Sequence, residues 1–199
     1  MGRTKVTPMY QPGDDPACGA AALKHALAIL GKRKSLKSLK EVCKITRNGT
    51  STTSMIHAIN RLGLSTVVIK SATLHHLHSA LRYRSNNVRA VIVSYLYDVD
   101  ENEKPQPDSG HWATVSSYLS SKSRIVLFDS IKGQKKSYLW QEFRNRWVDY
   151  DLKRRKVGKR GNRYKIVRHW QPQLMMIVAK ETENLPQFSI GTAKTYPAN

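Results

Sequence analysis

A thiol, an imidazole and a carboxylate brought into one cleft can cleave an amide bond, and this chain offers a candidate for each. Cys18 heads an apolar stretch, CGAAALKHALAIL, in which Leu23, Leu27 and Leu30 fall on one helical face. A cysteine at a helix start meets unpaired backbone N–H groups and the positive end of the helix dipole, and both favour the thiolate. Residues Gly19 to Ala22 are small, so a substrate or packed partner can approach that backbone closely. Taken alone, Cys18 also fits a buried, inert core cysteine.

A nucleophilic thiol needs a base and a group that orients the base. His25 lies about two turns along the first helix and cannot easily reach the sulfur. His57 has no partner pattern. His75, His76 and His78 cluster, but without the cysteine pair or acidic partner of a metal site they read as a polar helix face. His111 stands at the head of an apolar strand, after a polar loop ending in Asp108, Ser109 and Gly110. Strand ends beside loops are where a rigid scaffold presents side chains to a cleft. The next strand, RIVLFD, ends abruptly in Asp129. If the two strands form a hairpin, Asp129 lies near His111 and can fix the imidazole tautomer. The competing use of Asp129 is a turn with Ser130 and Gly133. Gln11, upstream of the thiol, supplies a neutral amide donor that can join the Cys18 backbone N–H in holding an oxyanion. This chemistry requires no metal or cofactor.

The elements that must position these groups follow from periodicity and punctuation. Pro8, Pro12, Gly13 and Pro16 mark an extended or looped start, and Asp14 or Asp15 is placed to cap the first helix, which Gly31 ends. Helices are predicted at 36–44, 53–62, 73–83 and 137–147, and strands at 64–69, 88–97, 111–119, 124–129 and 173–179. The residues after Lys180 form a polar tail expected to fray. The layout is one α+β domain over residues 1–180, with N-terminal helices (about 17–85) packed against a C-terminal antiparallel sheet (about 88–180), and a tail at 181–199.

With 199 residues the chain suits one domain with a full core. Two cysteines, Cys18 and Cys43, are too few for a disulfide framework. The start has no apolar signal segment and no stretch reaches the length of a membrane span, so we expect a cytoplasmic protein with reduced thiols. Lys and Arg number 34 against 14 acids, a formal charge of +20, which attracts polyanions and says nothing about fold.

These residues together resemble a known family, the double-glycine-leader or bacteriocin-processing cysteine peptidases, a papain-like group often found as the N-terminal domain of an ABC exporter. The resemblance covers residues 10–147. It rests on Gln11 ahead of Asp15-Pro16-Ala17-Cys18-Gly19-Ala20-Ala21-Ala22-Leu23, and on Asn48-Gly49-Thr50-Ser51 before a helix ending in Leu62-Gly63-Leu64. It continues through His111-Trp112-Ala113-Thr114-Val115, Phe128-Asp129-Ser130 with Gly133, and Phe143 and Trp147. It implies a papain-like fold with helices on one side of the cleft and a sheet on the other. It implies Cys18, His111 and Asp129 as triad, Gln11 as oxyanion donor, and cleavage of a peptide or protein substrate, typically after Gly-Gly in a leader. The family's glutamine usually lies six residues before the cysteine; here the gap is seven. Without membrane helices or a nucleotide loop the chain reads as a free-standing domain. Papain-like triads also support deamidation and acyl transfer.

A rival from another class is a nucleic-acid-binding module. A basic tract runs from Lys153 to Arg168 and includes Arg154, Arg155, Lys156, Lys159, Arg160, Arg163 and Lys165, interleaved with Tyr150, Tyr164 and Trp170. Cations with aromatics can hold phosphates and stack bases. The tract also fits a surface hairpin or an exosite for acidic peptides. Sequence leaves the oligomeric state open.

Overall fold

The computed structural model describes residues 6–11, 15–82, 87–102, 104–157, 164–188 and 193–198. Pro12, Gly13, Asp14, Lys159, Arg160 and Arg163 of the sequence reading lie outside them. Helix α1 spans Cys18–Ile29 and buries an alanine- and leucine-rich face. Helices α2 (Leu36–Val42) and α3 (Thr52–Arg61) begin on true caps: Ser35 Oγ accepts the Ser38 N–H and Ser51 Oγ the Ser54 N–H. After β1 (Ser65–Ile69) comes α4 (Leu74–Leu81), whose first turn is closed by the His76 ring accepting the Thr73 N–H at 2.9 Å. The member of the histidine cluster at the helix start is therefore a cap. Among the described residues no group of three His, Cys, Asp or Glu side chains is placed to hold a metal ion.

The second half supplies β2 (Arg89–Leu96), β3 (Gly110–Leu119), β4 (Arg124–Asp129) and β5 (Gln134–Leu139). Helix α5 (Trp140–Arg146) precedes β6 (Val148–Lys156), β7 (Tyr164–Pro172), β8 (Met175–Ala179) and β9 (Ala193–Tyr196). Seven strands form one antiparallel sheet in the order β5-β4-β3-β2-β8-β1-β9, and β6 and β7 form a separate two-stranded ribbon. The molecule is an α+β domain. None of the described helices is long and apolar enough to cross a membrane.

Strand alternation divides the sheet into two buried faces. One carries Ile92, Trp112 and Met176 and receives α1, α2 and α3 through Leu23, Leu27, Leu39, Met55 and Ile59. The other carries Tyr95, Ala113, Val115 and Ile177 and receives α4 and α5 through Leu77, Ala80 and Phe143. Helices thus cover both faces of the sheet.

Three expectations change. Residues 137–139 belong to β5, because Gln134–Leu139 alternates in register with β4 and turns Tyr138 inward. Asp15 does not cap α1, whose N-cap is Ala17 with no side-chain bond; its carboxylate instead pairs with Lys40. The segment after Lys180 contributes β9, hydrogen-bonded along β1 from Thr66 to Ile69. Strand β1 itself, from the helical half of the chain, sits between β8 and β9.

Candidate active site

Two buried polar contacts tie the head of β3 to α1 and to the loop ahead of α3. Thr114 Oγ1 donates to the Ala22 carbonyl at 2.6 Å, and the Trp112 indole N–H donates to the Thr50 carbonyl at 2.8 Å. The small residues after Cys18 make this approach possible. A Cβ at Gly19 would lie 2.6 Å from Thr50 Oγ1 and 2.7 Å from its Cβ, so only glycine fits there.

Cys18 is the first residue of α1 and is partly open to a cleft of about 440 Å³. Gly49, Gly110, Trp112, Asp149 and Gln171 share its walls. Dense protein around the sulfur outweighs this opening. Burial pushes the thiol up to about 11, opposed first by the Trp112 N–H, then reinforced by the Asp149 charge; the N–H groups of Gly19 and Cys18 itself pull the other way. The backbone N–H groups of Trp112, Gly19 and Cys18 thus each favour negative charge at this position, as an oxyanion would need. The other thiol, Cys43, is fully buried in the helical core and pushed up to about 12.

His111 lies in the next position to the residue that touches the sulfur, yet its ring is on the other face of the sheet. In the β2–β3 register His111 stands opposite Tyr95, and Trp112 opposite Ser94. The ring packs edge-on against Tyr97 at 5.1 Å and Tyr95 at 5.8 Å, whereas Cys18 packs with Trp112. Burial lowers the imidazole to about 4, with the Asp129 charge opposing and Lys136 assisting. Its Nε2 is buried without a hydrogen-bond partner.

Asp129 is fully buried at the end of β4. Its Oδ1 accepts the N–H of Ile131 at 2.9 Å and of Lys132 at 3.3 Å, the turn-opening role, while Oδ2 accepts the Tyr97 hydroxyl at 2.9 Å. Tyr97 thus touches both Asp129 and the His111 ring. Among the hydrogen bonds of the described residues, none joins His111 to Asp129 or to Cys18. The structure brings Cys18 to the backbone at the head of β3 and gathers His111 and Asp129 around Tyr97; it leaves sulfur and ring on opposite faces.

Gln11 is buried beside Ser130, the residue after Asp129. Its N–H donates to the Ser130 carbonyl at 2.7 Å, its Oε1 accepts the Ser130 hydroxyl at 2.7 Å, and its Nε2 donates to the Asp15 carbonyl at 3.0 Å. It ties the segment before Cys18 to the end of β4, and among the described residues one of its amide hydrogens has no acceptor. His25 has a related duty. Its Nε2 accepts the Met9 N–H at 3.0 Å and its ring stacks on Phe128 at 4.8 Å, which fastens the N-terminal segment to α1.

Sequence reasoning missed Asp149. It is the second residue of β6, beside Gly110, where an added Cβ would lie 2.4 Å from Oδ1. Burial raises its carboxyl to about 7, against the pull of the Tyr150 N–H, with Asp151 adding repulsion. The one signal for it is two carboxylates, Asp149 and Asp151, standing just ahead of a long acid-free cationic tract.

The sequence profile described as the peptidase C39 family matches residues 7–156. No curated protein matches the chain. Among solved structures, the peptidase domain of Streptococcus ComA, a bi-functional ABC transporter involved in a quorum sensing pathway, matches with a TM-score of 0.62 and 17% identity. That alignment covers 89% of this chain and all 100% of the other. A double glycine motif protease from an AMS/PCAT transporter, solved with its leader peptide, matches with a TM-score of 0.54 and 16% identity over 89% of this chain and 94% of the other. At these identities the likeness is one of fold.

Proposed function

Because the chain belongs to the peptidase C39 family, we propose that its cysteine peptidase activity is carried by Cys18 as nucleophile, His111 as base and Asp129 as the group that orients the base. The observation that carries this reading is the setting of Cys18: a thiol at a helix start, at the wall of an open cleft, where the backbone N–H groups of Trp112, Gly19 and Cys18 favour negative charge.

With the thiol near 11 and the imidazole near 4, both partners rest neutral at pH 7, so the pair does not start as thiolate and imidazolium. Catalysis requires the head of β3, Gly110 to Trp112, to turn the His111 ring toward the α1 face. No hydrogen bond holds Nε2 where it is, which favours such a turn. His111 then takes the Cys18 proton as sulfur attacks the peptide carbonyl. The backbone N–H groups of Trp112, Gly19 and Cys18 hold the oxyanion, joined by the second Gln11 amide hydrogen. His111 returns the proton to the leaving amine, and water releases the acyl group.

For substrate we extend to this chain what one solved relative's name states, cleavage at a double glycine motif in a leader peptide. Gly49 and Gly110, which bring no side chain into the cleft beside Trp112, leave backbone exposed where a glycine-containing substrate segment would lie. Deamidation or acyl transfer uses the same acyl-enzyme, and a panel of peptide and amine acceptors separates them.

A second reading has a specific observation behind it. Asp149, not His111, shares the cleft with Cys18 and acts on its charge. In that reading the carboxylate of Asp149 takes the thiol proton. Iodoacetamide labelling of Cys18 across pH decides between them. The triad requires that His111→Ala slow labelling and abolish peptide cleavage. If His111→Ala leaves both intact while Asp149→Asn removes them, the base is Asp149. Cys18→Ala abolishes turnover under either reading, and Cys43→Ala leaves it.

A further inference from the structure

The basic tract resolves into a ribbon with a defined face. Strands β6 and β7 pair antiparallel from Val148↔Pro172 to Lys156↔Tyr164, and beyond Asp151 the side chains of β6 all stand in solvent. Tyr164 is 57% exposed, Ile166 69% and Trp170 45%, values that leave whole ring and aliphatic faces uncovered. The register sorts them. Lys156 lies opposite Tyr164, Arg154 opposite Ile166, Leu152 opposite Arg168 and Tyr150 opposite Trp170, so these eight side chains share one face. The other face carries Arg155 opposite Lys165 and Lys153 opposite Val167.

We propose that this ribbon binds single-stranded nucleic acid, with phosphates held by Arg154 and Lys156 and bases stacked on Tyr164 and Trp170. The ion pairs of the described residues leave Lys153, Arg154, Arg155, Lys156 and Lys165 without a carboxylate, so their charge is available to a polyanion. At the root, Arg168 is committed: it pairs with Asp108 at 2.6 Å and lies over the Tyr150 ring at 4.8 Å. That contact, with the Trp170 ring edge-on to Tyr150 at 5.1 Å, fixes the inner end of the platform. Successive residues on one strand face are about 7 Å apart, so Tyr164 and Trp170 offer two separate stacking sites along one edge.

A membrane surface fits this face less well. Ile166 and Tyr164 each lie directly across from a cation, so immersing either side chain would draw Arg154 or Lys156 out of water with it. An acidic peptide would use the cations but leave the two exposed rings without a role.

The test is fluorescence anisotropy of the full chain with a labelled RNA of about 20 nucleotides, longer than one site. Binding should weaken steeply and log-linearly with added salt. Replacing Arg154 and Lys156 together by Ala should reduce the salt slope by about two. Tyr164→Ala and Trp170→Ala should each weaken binding about tenfold with the slope unchanged, and Tyr164→Phe should restore it. Far-UV circular dichroism of each variant separates lost binding from lost folding. The proposal falls if RNA does not bind at low salt, or if folded ring variants bind as tightly as the parent. It falls equally if polyglutamate or phosphatidylglycerol vesicles displace the RNA at matched charge.

Discussion

Asp149 faces Cys18 across the cleft, and its charge opposes the formation of a thiolate there. The carboxyl sits where burial raises it to about 7, so near neutral pH it is only partly ionised. In the triad reading Asp149→Asn removes the repulsion, and iodoacetamide should label Cys18 faster at pH 8, where the parent carboxylate is charged. At pH 5 the parent carboxyl is already neutral and the variants should label alike. Equal rates at pH 8 would show that the carboxylate does not act on the sulfur.

The same carboxyl and two histidines set the response to acid. His25 and His111 are both lowered to about 4 from an ordinary value of 6.5, so between those limits the unfolded chain binds two more protons than the folded one. Stability therefore falls as pH drops from 6.5 toward 4, by about 3 kcal/mol for each buried ring. Asp149 has the opposite sign. Its folded value lies above its unfolded one, so it adds stability below pH 3.8 that is lost as pH rises through about 7. Denaturant unfolding of the parent should show a shallow acid loss, and Asp149→Asn a steeper one, with the variant more stable at pH 8 by about 4 kcal/mol. A variant no more stable at pH 8 than the parent would contradict the burial of that charge.

Gly19 brings α1 close against Thr50 in the loop ahead of α3. A methyl group there would drive into both Oγ1 and Cβ of Thr50, whose carbonyl receives the Trp112 indole. Gly19→Ala should cost about 1–3 kcal/mol, as overpacking does, and lower activity by moving Trp112 relative to the sulfur. A matched control is Ala28→Gly on a less crowded turn of the same helix, which should cost about 1 kcal/mol and leave turnover unchanged. Retained midpoint and activity in Gly19→Ala would mean that Thr50 moves aside freely.

Much of this arrangement is legible in the residues, and the losses have identifiable causes. RIVLFD alternates cleanly between two buried faces, and β4 runs from Arg124 to Asp129 as read. Cys18 opens α1 because the alanine and leucine spacing begins there. The parity of β3 is a different matter. Both His111 and Trp112 are apolar enough to be buried, and which of them meets α1 depends on the face that Thr114 turns to Ala22, a tertiary choice. Helical spacing of Leu139, Phe143 and Trp147 extends the α5 reading backward, but pairing with β4 captures residues 137–139 first. Asp149 is hidden for the same kind of reason: only the return of β6 past Gly110 makes a surface-looking acid part of the cleft.

The end of the chain carries a last prediction. β1 is buried along its whole length, and its outer edge is covered by β9, from Thr66↔Tyr196 to Ile69↔Ala193. Beyond that ladder, Asn60 Nδ2 donates to the Pro197 carbonyl at 2.6 Å and the Ala198 N–H donates to Ser65 Oγ at 2.9 Å, so the cover is clasped from both sides. Truncation before residue 193 would leave the N–H and C=O groups on the β9 side of β1 unpaired at the rim of an apolar sheet. Exposed edges of that kind recruit other strands. The truncated chain should unfold at lower temperature and elute partly as oligomers, while the Cys18 cleft, several strands away, keeps its thiol labelling. An unchanged midpoint with monomeric elution would show that β9 rests on β1 without contributing to its protection.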